Sequence, residues 1–521
     1  MKPSNRIFIL VFLMILLCAC GGDNRYENNE TEESTTTIEY PNRADYSDYE
    51  HEEPAAIIHY TLSDLLERAL IRRQNIIKPD VDAVLPYTQG RTPAPLPERL
   101  WDERMRASVS VEQAIEDVNI FFAALYSAYG GYVYFGGDDV FLPIRNNAIA
   151  QIQELGDTVR PSEIEQILIN GLSPVVVDRH FNIGEHIFSG TALHHHMSHL
   201  QYDRSQNGFR NRENGLYLQS IQGHEDEDLE NIMRLHVDTR GNLTYSPVIV
   251  SDNRLADMST IFTYENGEYF QRHWSSITNR WRATEYPTLE WIDGIPVVTV
   301  MAMGFDGHEN AHNFKHYELF MEAAKKLQDE PVIIVDLRSN GGGNTLMAVR
   351  WLYELVGEIV PTNYLQLLTA HFDLDFHRNN QGGRFTVSLD SLEFFSQYTI
   401  TDDGHMISFA HTDRIVESDQ LFVLLTDRWT GSATENFVDL AFNMTNTLVI
   451  GSPTAGVLAF DRTYAMLHLP NSGVNFGFGR GMSFWPKGHF AENLGIEPDI
   501  WARGDALEAA LALLRLKEFG D

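Results

Sequence analysis

A turn that could carry a nucleophile lies between an apolar strand and an apolar-faced helix in the C-terminal part of the chain. The run Leu421 to Leu425 predicts a buried strand, and the turn from Asp427 to Asn436 leads from it into the helix. Ser432 would stand at the start of this helix, where a serine can act as a nucleophile. Ser432 and Glu435 also have the spacing of a capping box, so the turn alone leaves a structural role open.

A glycine-rich turn follows a second predicted strand. The run Val332 to Val335 leads into Asp336 to Asn344, which contains three successive glycines, and a helix is predicted from Thr345 to Val356. Successive glycines let backbone N–H groups point at an anion at the start of a helix. The turn lacks the lysine and spacing of a phosphate-binding loop and does not match G-x-G-x-x-G, so nucleotide binding is disfavoured. A tight turn without a ligand is the alternative.

Two histidine patterns compete as metal sites. His308, Glu309 and His312 match H-E-x-x-H, in which two histidines hold zinc and the glutamate activates water. The match lies at the very start of its helix and faces away from the predicted apolar side, and Lys315 stands where the extended metalloprotease pattern has glycine. For the histidine-rich run 194–199, solvated side chains are the favoured interpretation. We therefore expect no metal and no cofactor, and a zinc metallopeptidase is the weaker alternative.

Buried strands that alternate with helices predict a layered α/β core over residues 291–521. The apolar runs at 296–300, 332–335 and 421–425 each lead into a polar or glycine-rich turn and then into a helical pattern. Apolar runs of this kind are typical of sheets covered on both faces. The stretch 364–420 is predicted to be an insertion over this core.

Four motifs in the core follow one another in the order found in carboxy-terminal processing (tail-specific) and tricorn-type serine peptidases. They are D-x-R-x-N-x-G-G from Asp336, S-A-[ST]-E from Ser432, G-x-P-T-x-G from Gly451 and G-[IV]-x-P-D from Gly495. The chain resembles this family well over 291–510 and weakly over 160–185. The resemblance implies a ClpP/crotonase-like α/β core and makes Ser432 the nucleophile. It also implies an oxyanion hole formed by the backbone N–H groups of Gly341, Gly342 and Ala433.

The general base separates two branches of that family. The processing-protease branch follows G-x-P-T-x-G with a lysine base, whereas this chain has Val457 at that position. The tricorn-type branch resembles a Ser-His-Glu arrangement, with histidine in an L-x-D-x-H motif and glutamate just before G-[IV]-x-P-D. By this resemblance His180 is the predicted base and Glu492 its orienting partner. Arg179 departs from the pattern, which has a serine beside the histidine. Two reserve bases lie close by in the sequence, Lys487 and His489.

The first twenty residues resemble the signal peptide of a bacterial lipoprotein. A basic start precedes an apolar run from Ile7 to Leu17, which is too short to span a bilayer, and the lipobox-like sequence Leu17-Cys18-Ala19-Cys20-Gly21 follows. The resemblance makes Cys20 the lipid-modified N-terminus of a membrane-anchored, extracytoplasmic protein; an ordinary secretory signal or a weak anchor helix is the alternative. The segments after it are predicted as an acidic disordered tether at 21–56, a helical N-terminal domain at 57–175 and a small β-rich module at 176–290.

The composition excludes several classes of protein. The 521 residues include 39 Lys and Arg against 73 Asp and Glu, a formal net charge of −34, and only two cysteines. This charge repels phosphate backbones, so nucleic acid is not an expected partner. The sequence therefore predicts a lipid-anchored, extracytoplasmic serine endopeptidase of the Ser-His-Glu type that acts on peptides or unfolded proteins. A catalytically inactive peptide-binding module on the same fold is the alternative, and the oligomeric state is left open.

Overall fold

The structure is a computed structural model that describes residues 56–75, 77, 79–88, 100, 106–190, 193–252, 259–276, 286–304, 313–368, 398–400, 406–409, 414–461, 466–479 and 481–517. Cys20 and the rest of the predicted signal peptide lie outside the described residues, as do His308, Glu309 and His312. Within the described ranges, no helix combines the length and the apolar character that crossing a bilayer requires.

Helices predominate up to Leu172, and the described residues after it are mainly strands, with single helices between groups of strands. The helices are α1 (Leu62–Gln74), α2 (Val81–Val84), α3 (Val111–Ala128), α4 (Gly137–Gln153), α5 (Pro161–Leu172), α6 (Leu229–Ile232), α7 (Phe314–Lys326), α8 (Thr345–Val356), α9 (Ala433–Ala441) and α10 (Ala506–Leu516). The strands are β1 (Val109–Ser110), β2 (Thr158–Val159), β3 (Asp178–Ile183), β4 (His186–Phe188), β5 (His194–Ser198), β6 (Tyr202–Ser205), β7 (Gly208–Asn211), β8 (Leu218–Ile221), β9 (Met233–Val237), β10 (Leu243–Ser251), β11 (Ser259–Tyr264), β12 (Tyr269–Ser276), β13 (Thr288–Ile292), β14 (Ile295–Thr299), β15 (Val332–Asp336), β16 (Leu365–Leu368), β17 (Tyr398–Ile400), β18 (Met406–Phe409), β19 (Leu421–Thr426), β20 (Thr447–Gly451), β21 (Leu467–His468), β22 (Asn475–Gly477), β23 (Gly481–Phe484) and β24 (Ile500–Ala502).

A long mixed sheet forms the centre of the described structure. Its strand order is β13-β14-β15-β19-β20-β24-β9-β10-β5-β12-β11-β8. Six adjacent strands of this sheet run parallel to one another, in the order β14-β15-β19-β20-β24-β9. The carboxyl ends of β15 and β19 therefore lie at the same edge, which brings the glycine-rich turn and the Ser432 turn together.

Both faces of the parallel strands are covered, which explains why their sequences show no polar alternation. Ile334 and Val423 pack into a cluster with α10, while Val335 and Leu424, their neighbours in the chain, pack into a second cluster with α7, α8 and α9. Successive side chains of a strand point to opposite faces, so these clusters lie on the two sides of the sheet. In the second cluster Trp351 packs 5.4 Å from Phe437, ring centre to ring centre. The predicted layered α/β core is confirmed.

A second sheet, in the order β21-β22-β3-β4, connects the N-terminal helices to the core. Its apolar side packs with α3, α4 and α5 in a third cluster, in which Phe121 lies 5.0 Å from Phe476. Helix α3 starts at Val111, and Ser110 caps it, because the Gln113 backbone N–H donates to Ser110 Oγ at 3.3 Å. This sheet carries His180 on β3.

Within residues 176–290, strands β5 to β12 continue the central sheet, whereas β3 and β4 belong to the second sheet. Strand β9 pairs in parallel with β24, with Trp501 opposite His236. Of the predicted insertion at 364–420, β16 pairs with both β18 and β23. The domain boundaries drawn from the sequence stay predictions.

Helix α1 fastens the N-terminal segment to the G-[IV]-x-P-D motif. The guanidinium of Arg73 forms a buried ion pair with Asp499 and lies 4.5 Å from the ring centre of Phe442, at the end of α9. Its neighbour Arg72 donates to the Pro498 carbonyl oxygen at 2.9 Å. Burial lowers the pKa of Arg73, and the charge of Asp499 opposes that effect. The segment that carries Glu492 is thus held at its far end by a helix from another part of the chain.

Candidate active site

Ser432 occupies a strained position between β19 and α9. Its φ of 52° and ψ of −123° lie in a region that residues with a side chain rarely adopt. The Asp427 carboxylate accepts the backbone N–H groups of Trp429 and Thr430 at 2.9 and 3.0 Å and so fixes the preceding turn. A sharp strand-to-helix turn of this kind places a serine hydroxyl at an accessible point above the sheet. Ser432 itself is only partly buried, while Ala433 and the residues after it are buried.

Glu435 ties the Ser432 turn to the following G-x-P-T-x-G loop. Its carboxylate accepts the Ser432 backbone N–H at 2.9 Å, the Thr454 hydroxyl at 2.6 Å and the backbone N–H groups of Gly456 and Val457 at 2.7 and 2.8 Å. Burial raises the pKa of Glu435, and these hydrogen bonds oppose the rise. The Glu435 backbone N–H donates to the Ser432 carbonyl oxygen. The helix-cap interpretation therefore accounts for Glu435 but leaves the Ser432 hydroxyl available.

His180 lies on the second sheet and contacts Ser432. The distance from His180 Nε2 to Ser432 Oγ is 3.3 Å, although 252 positions separate the two residues in the sequence. His180 lies on β3, whose pairing with β4 shifts register between Asp178 and Asn182. Such a bulge changes the direction in which a strand projects a side chain. The structure thus brings together the predicted nucleophile and the predicted base.

The structure places Glu492 beside the backbone of the His180 strand. One carboxylate oxygen accepts the Arg179 backbone N–H at 3.3 Å, and the other accepts the Ala459 backbone N–H at 3.1 Å. Burial raises the pKa of Glu492 well above its ordinary value, and the negative charge of Asp178 raises it further. The Arg179 guanidinium donates to the Ala455 carbonyl oxygen at 2.8 Å, so this departure from the family pattern links β3 to the loop after β20.

The glycine loop faces the Ser432 turn at close range. Gly342 has a φ of +108°, and a Cβ at this position would lie 2.7 Å from the Ser432 Cβ and 2.9 Å from the Ala433 backbone nitrogen. The adjoining Gly341 lies near Gly431, where an added Cβ would approach the Gly341 carbonyl oxygen to 3.6 Å. Of the three residues predicted to form an oxyanion hole, Gly342 and Ala433 therefore adjoin Ser432, and Gly341 lies near the preceding Gly431.

Asn340 is a site residue that the sequence reasoning did not single out. Its side-chain oxygen accepts the Gly342 backbone N–H at 3.0 Å and the Thr434 hydroxyl at 2.8 Å, while its side-chain nitrogen donates to the Val300 carbonyl oxygen. An oxyanion that uses the Gly342 N–H must compete with this amide oxygen. The D-x-R-x-N part of the motif was the available signal, because Arg338 also forms a bidentate pair with Asp336 at its start.

We expect Gly342→Ala to reduce kcat by about 100-fold or more, since the new methyl group would enter the space where backbone donors stabilise an oxyanion. The positive φ adds strain to the steric conflict. Gly357→Ala is the matched control, because Gly357 has a φ of +78° with no atom within 4 Å of an added Cβ. Steady-state kinetics and thermal unfolding of both variants check this. Equal losses of activity in the two variants would contradict the placement of Gly342.

The residue at the family lysine position and the two reserve bases carry other contacts or are exposed. Val457, at the position of the family lysine, is buried and its side chain approaches Gly431. His489 Nε2 bonds to the buried Asp439 carboxylate at 2.9 Å, and Lys487 is exposed. Across the described part of the chain, including the 194–199 run, no group of three or more His, Cys, Asp or Glu side chains is arranged to hold a metal ion.

The fold and site define a class: an α/β protein in which a strained serine at the start of a helix contacts a histidine and faces a glycine loop. Residues 303–502 match the model of peptidase family S41. Residues 303–502 therefore resemble a domain of this serine peptidase family, as the motifs predicted. His180 lies outside the matched residues.

Comparisons with solved structures give distant similarities. Mature CPAF is 14% identical, with 78% of this chain and 97% of that chain covered and a TM-score of 0.41. The photosystem II D1 C-terminal processing protease is 14% identical, with coverages of 79% and 97% and a TM-score of 0.37. The tricorn protease is 12% identical, with coverages of 78% and 37% and a TM-score of 0.31. No curated protein matches the chain.

Proposed function

We propose that the chain is a serine endopeptidase in which Ser432 is the nucleophile, His180 the general base and Glu492 the group that orients His180. The observation that carries the proposal is the 3.3 Å contact between Ser432 Oγ and His180 Nε2. A serine hydroxyl becomes an effective nucleophile when a neighbouring imidazole accepts its proton. Peptides and unfolded protein segments are the proposed substrates.

The proposed reaction follows from the placement of these groups. His180 Nε2 takes the proton as Ser432 Oγ attacks the carbonyl carbon of the peptide bond, and the imidazolium then gives that proton to the leaving amine. Negative charge develops on the carbonyl oxygen, beside the backbone of Gly342 and Ala433, where N–H donors stabilise it. Water then cleaves the acyl-enzyme with the same groups in reversed roles. Glu492 lies at the backbone of β3, where its charge favours the imidazolium.

The backbone strain at Ser432 favours an active enzyme over a binding module. A residue with a side chain held in this region costs about 1–3 kcal/mol, and such strain persists where the surrounding structure enforces it. Here Glu435 and Asp427 supply that support through hydrogen bonds to the turn. A fold that only bound peptides would gain nothing from holding the serine in this conformation.

We also propose that a lipid on Cys20 anchors the mature chain to a membrane outside the cytoplasm. The lipobox-like sequence from Leu17 to Gly21 supports this. Incorporation of a labelled fatty acid into the wild type, but not into Cys20→Ser, is the expected result. Equal incorporation in both chains would contradict it.

Hydrolysis of an unfolded protein such as casein tests the proposed chemistry. We expect cleavage that a serine-directed fluorophosphonate abolishes and a metal chelator leaves unchanged. Cleavage that the chelator stops would instead favour the zinc alternative at His308, Glu309 and His312. A chain that binds the unfolded protein, is not modified by the fluorophosphonate and cleaves nothing would be the binding module.

A further inference from the structure

The bulge that carries His180 is held by two carboxylates on successive backbone amides. Glu492 accepts the Arg179 N–H at 3.3 Å, and Asp178 Oδ1 accepts the His180 N–H at 2.7 Å. A bulge interrupts the regular ladder and leaves backbone donors that need other partners. The direction of the His180 side chain therefore depends on both acids, of which the sequence pattern assigns a role only to Glu492.

Asp178 is a fully buried acid with other acidic groups around it. Its side chain is 0% exposed, and its carboxylate also interacts with the phenol of Tyr129, which ends α3. The negative charge of Asp461 acts on the Asp178 carboxylate. Glu492 accepts the backbone N–H of Arg179, the residue that follows Asp178. The Arg179 guanidinium, the cation closest in the sequence, donates to the Ala455 carbonyl oxygen.

Two buried carboxylates so placed disfavour a state in which both are ionised. Burial raises the pKa of Asp178 to about 7, against the hydrogen bond from the His180 backbone N–H and the nearby Tyr129 phenol, which lower it. The pKa of Glu492 is raised by burial and then by the charge of Asp178, with a smaller contribution from Glu435. The negative charge of Asp178 therefore disfavours ionisation of Glu492.

We propose that Asp178 is a positioning residue for His180, which fixes the bulge through the His180 backbone amide and places a second carboxylate on the amide next to the one that Glu492 accepts. This inference rests on the proposed function of Ser432 and His180. Asp178 acts on the reaction in two separable ways. Its acceptor oxygen aims the imidazole at Ser432, and its charge sets how readily Glu492 ionises and His180 protonates.

The charge is tested with Asp178→Asn, which keeps an acceptor oxygen but cannot ionise. We expect kcat at the optimum to stay within a few-fold of the wild type and the acid limb of the kcat/KM profile to move down by ~1 pH unit. The limb moves down because Glu492, without the neighbouring negative charge, reaches its ionised form at lower pH, and the ionised form is the one proposed to orient His180. An acid limb at the wild-type position would overturn the electrostatic role of Asp178.

The acceptor oxygen is tested with Asp178→Ala. We expect kcat to fall about 10- to 100-fold with little change in KM, because a displaced base slows proton transfer without touching the bound substrate. The recovery of kcat in the Asn variant separates this role from a general loss of structure. Asp138→Asn is the control: Asp138 also accepts from a tyrosine, Tyr132, at 2.7 Å, and we expect wild-type kinetics. Wild-type kcat in Asp178→Ala would overturn the positioning role.

A stability measurement distinguishes failure of this inference from failure of the proposed function. A folded-state pKa raised above the unfolded value means that the folded chain binds the extra proton, so Asp178 destabilises it increasingly as pH rises from 4 to 7. The urea concentration at the unfolding midpoint of Asp178→Asn, minus that of the wild type, should therefore increase from pH 5 to pH 8. A constant difference would overturn the raised proton affinity. Activity that survives Ser432→Ala, with this pH-dependent gain present, would locate the failure in the proposed function.

Discussion

Replacing Ser432 with alanine should reduce kcat/KM for peptide hydrolysis by about 10⁴-fold or more, with no loss of stability. Alanine keeps the backbone conformation that Glu435 and Asp427 hold, and it removes only the hydroxyl that contacts His180 at 3.3 Å. Residual activity would come from substrate binding and from the backbone donors near Gly342. Steady-state kinetics on a peptide substrate, together with thermal unfolding, measure both quantities.

Ser110→Ala is the matched control for this change, because Ser110 also precedes a helix and has a glutamine at the third helical position. Ser110 Oγ accepts the Gln113 N–H at 3.3 Å, whereas the Glu435 N–H donates to the Ser432 carbonyl oxygen at 2.8 Å. We expect Ser110→Ala to cost about 1 kcal/mol of unfolding free energy and to leave kcat unchanged. If Ser432→Ala showed the same pattern as the control, a loss of stability with full activity, Ser432 would be a helix cap and not a nucleophile.

His180→Ala should lower kcat by about 10³-fold or more, since the Ser432 hydroxyl then has no base to accept its proton. The acid limb of the pH profile should disappear with it. His186→Ala is the control on the neighbouring strand β4, where His186 packs against Phe188 at 4.8 Å. We expect its kinetics to match the wild type.

The double variant with both Ser432→Ala and His180→Ala shows whether the two residues act as a unit. We expect it to be about as inactive as Ser432→Ala alone, because a base without its nucleophile contributes nothing. Losses that multiply would mean that His180 serves some other step. That outcome would leave the base to be found elsewhere in the site.

The parts of the site that could be predicted from sequence are those encoded by adjacent residues. The strand, turn and helix around Ser432, and the glycines that face it, follow from local patterns with short spacing. The contact with His180 could be anticipated only through the family resemblance. It depends on the pairing of β3 with β22, strands nearly 300 positions apart, and no local periodicity encodes such pairing.

Other features required the three-dimensional arrangement because they depend on burial. In the sequence Asp178 is one polar residue of a motif. Its raised pKa comes from its complete burial beside Tyr129, which the sequence does not show. The hydrogen bond from the Gly342 N–H to Asn340 and the pairing of β24 with β9 likewise could not be predicted from the spacing of residues in the sequence. Long-range contacts such as these decide the geometry and the proton affinities of the site.

The most direct test of the central claim is to locate the covalent adduct that a fluorophosphonate forms with the native chain, by peptide mapping and mass spectrometry. We predict one adduct, on Ser432, that forms quickly in the wild type, at least 100-fold more slowly in His180→Ala and not at all in Ser432→Ala. An adduct on another serine, or hydrolysis that continues after Ser432 is fully modified, would contradict the account.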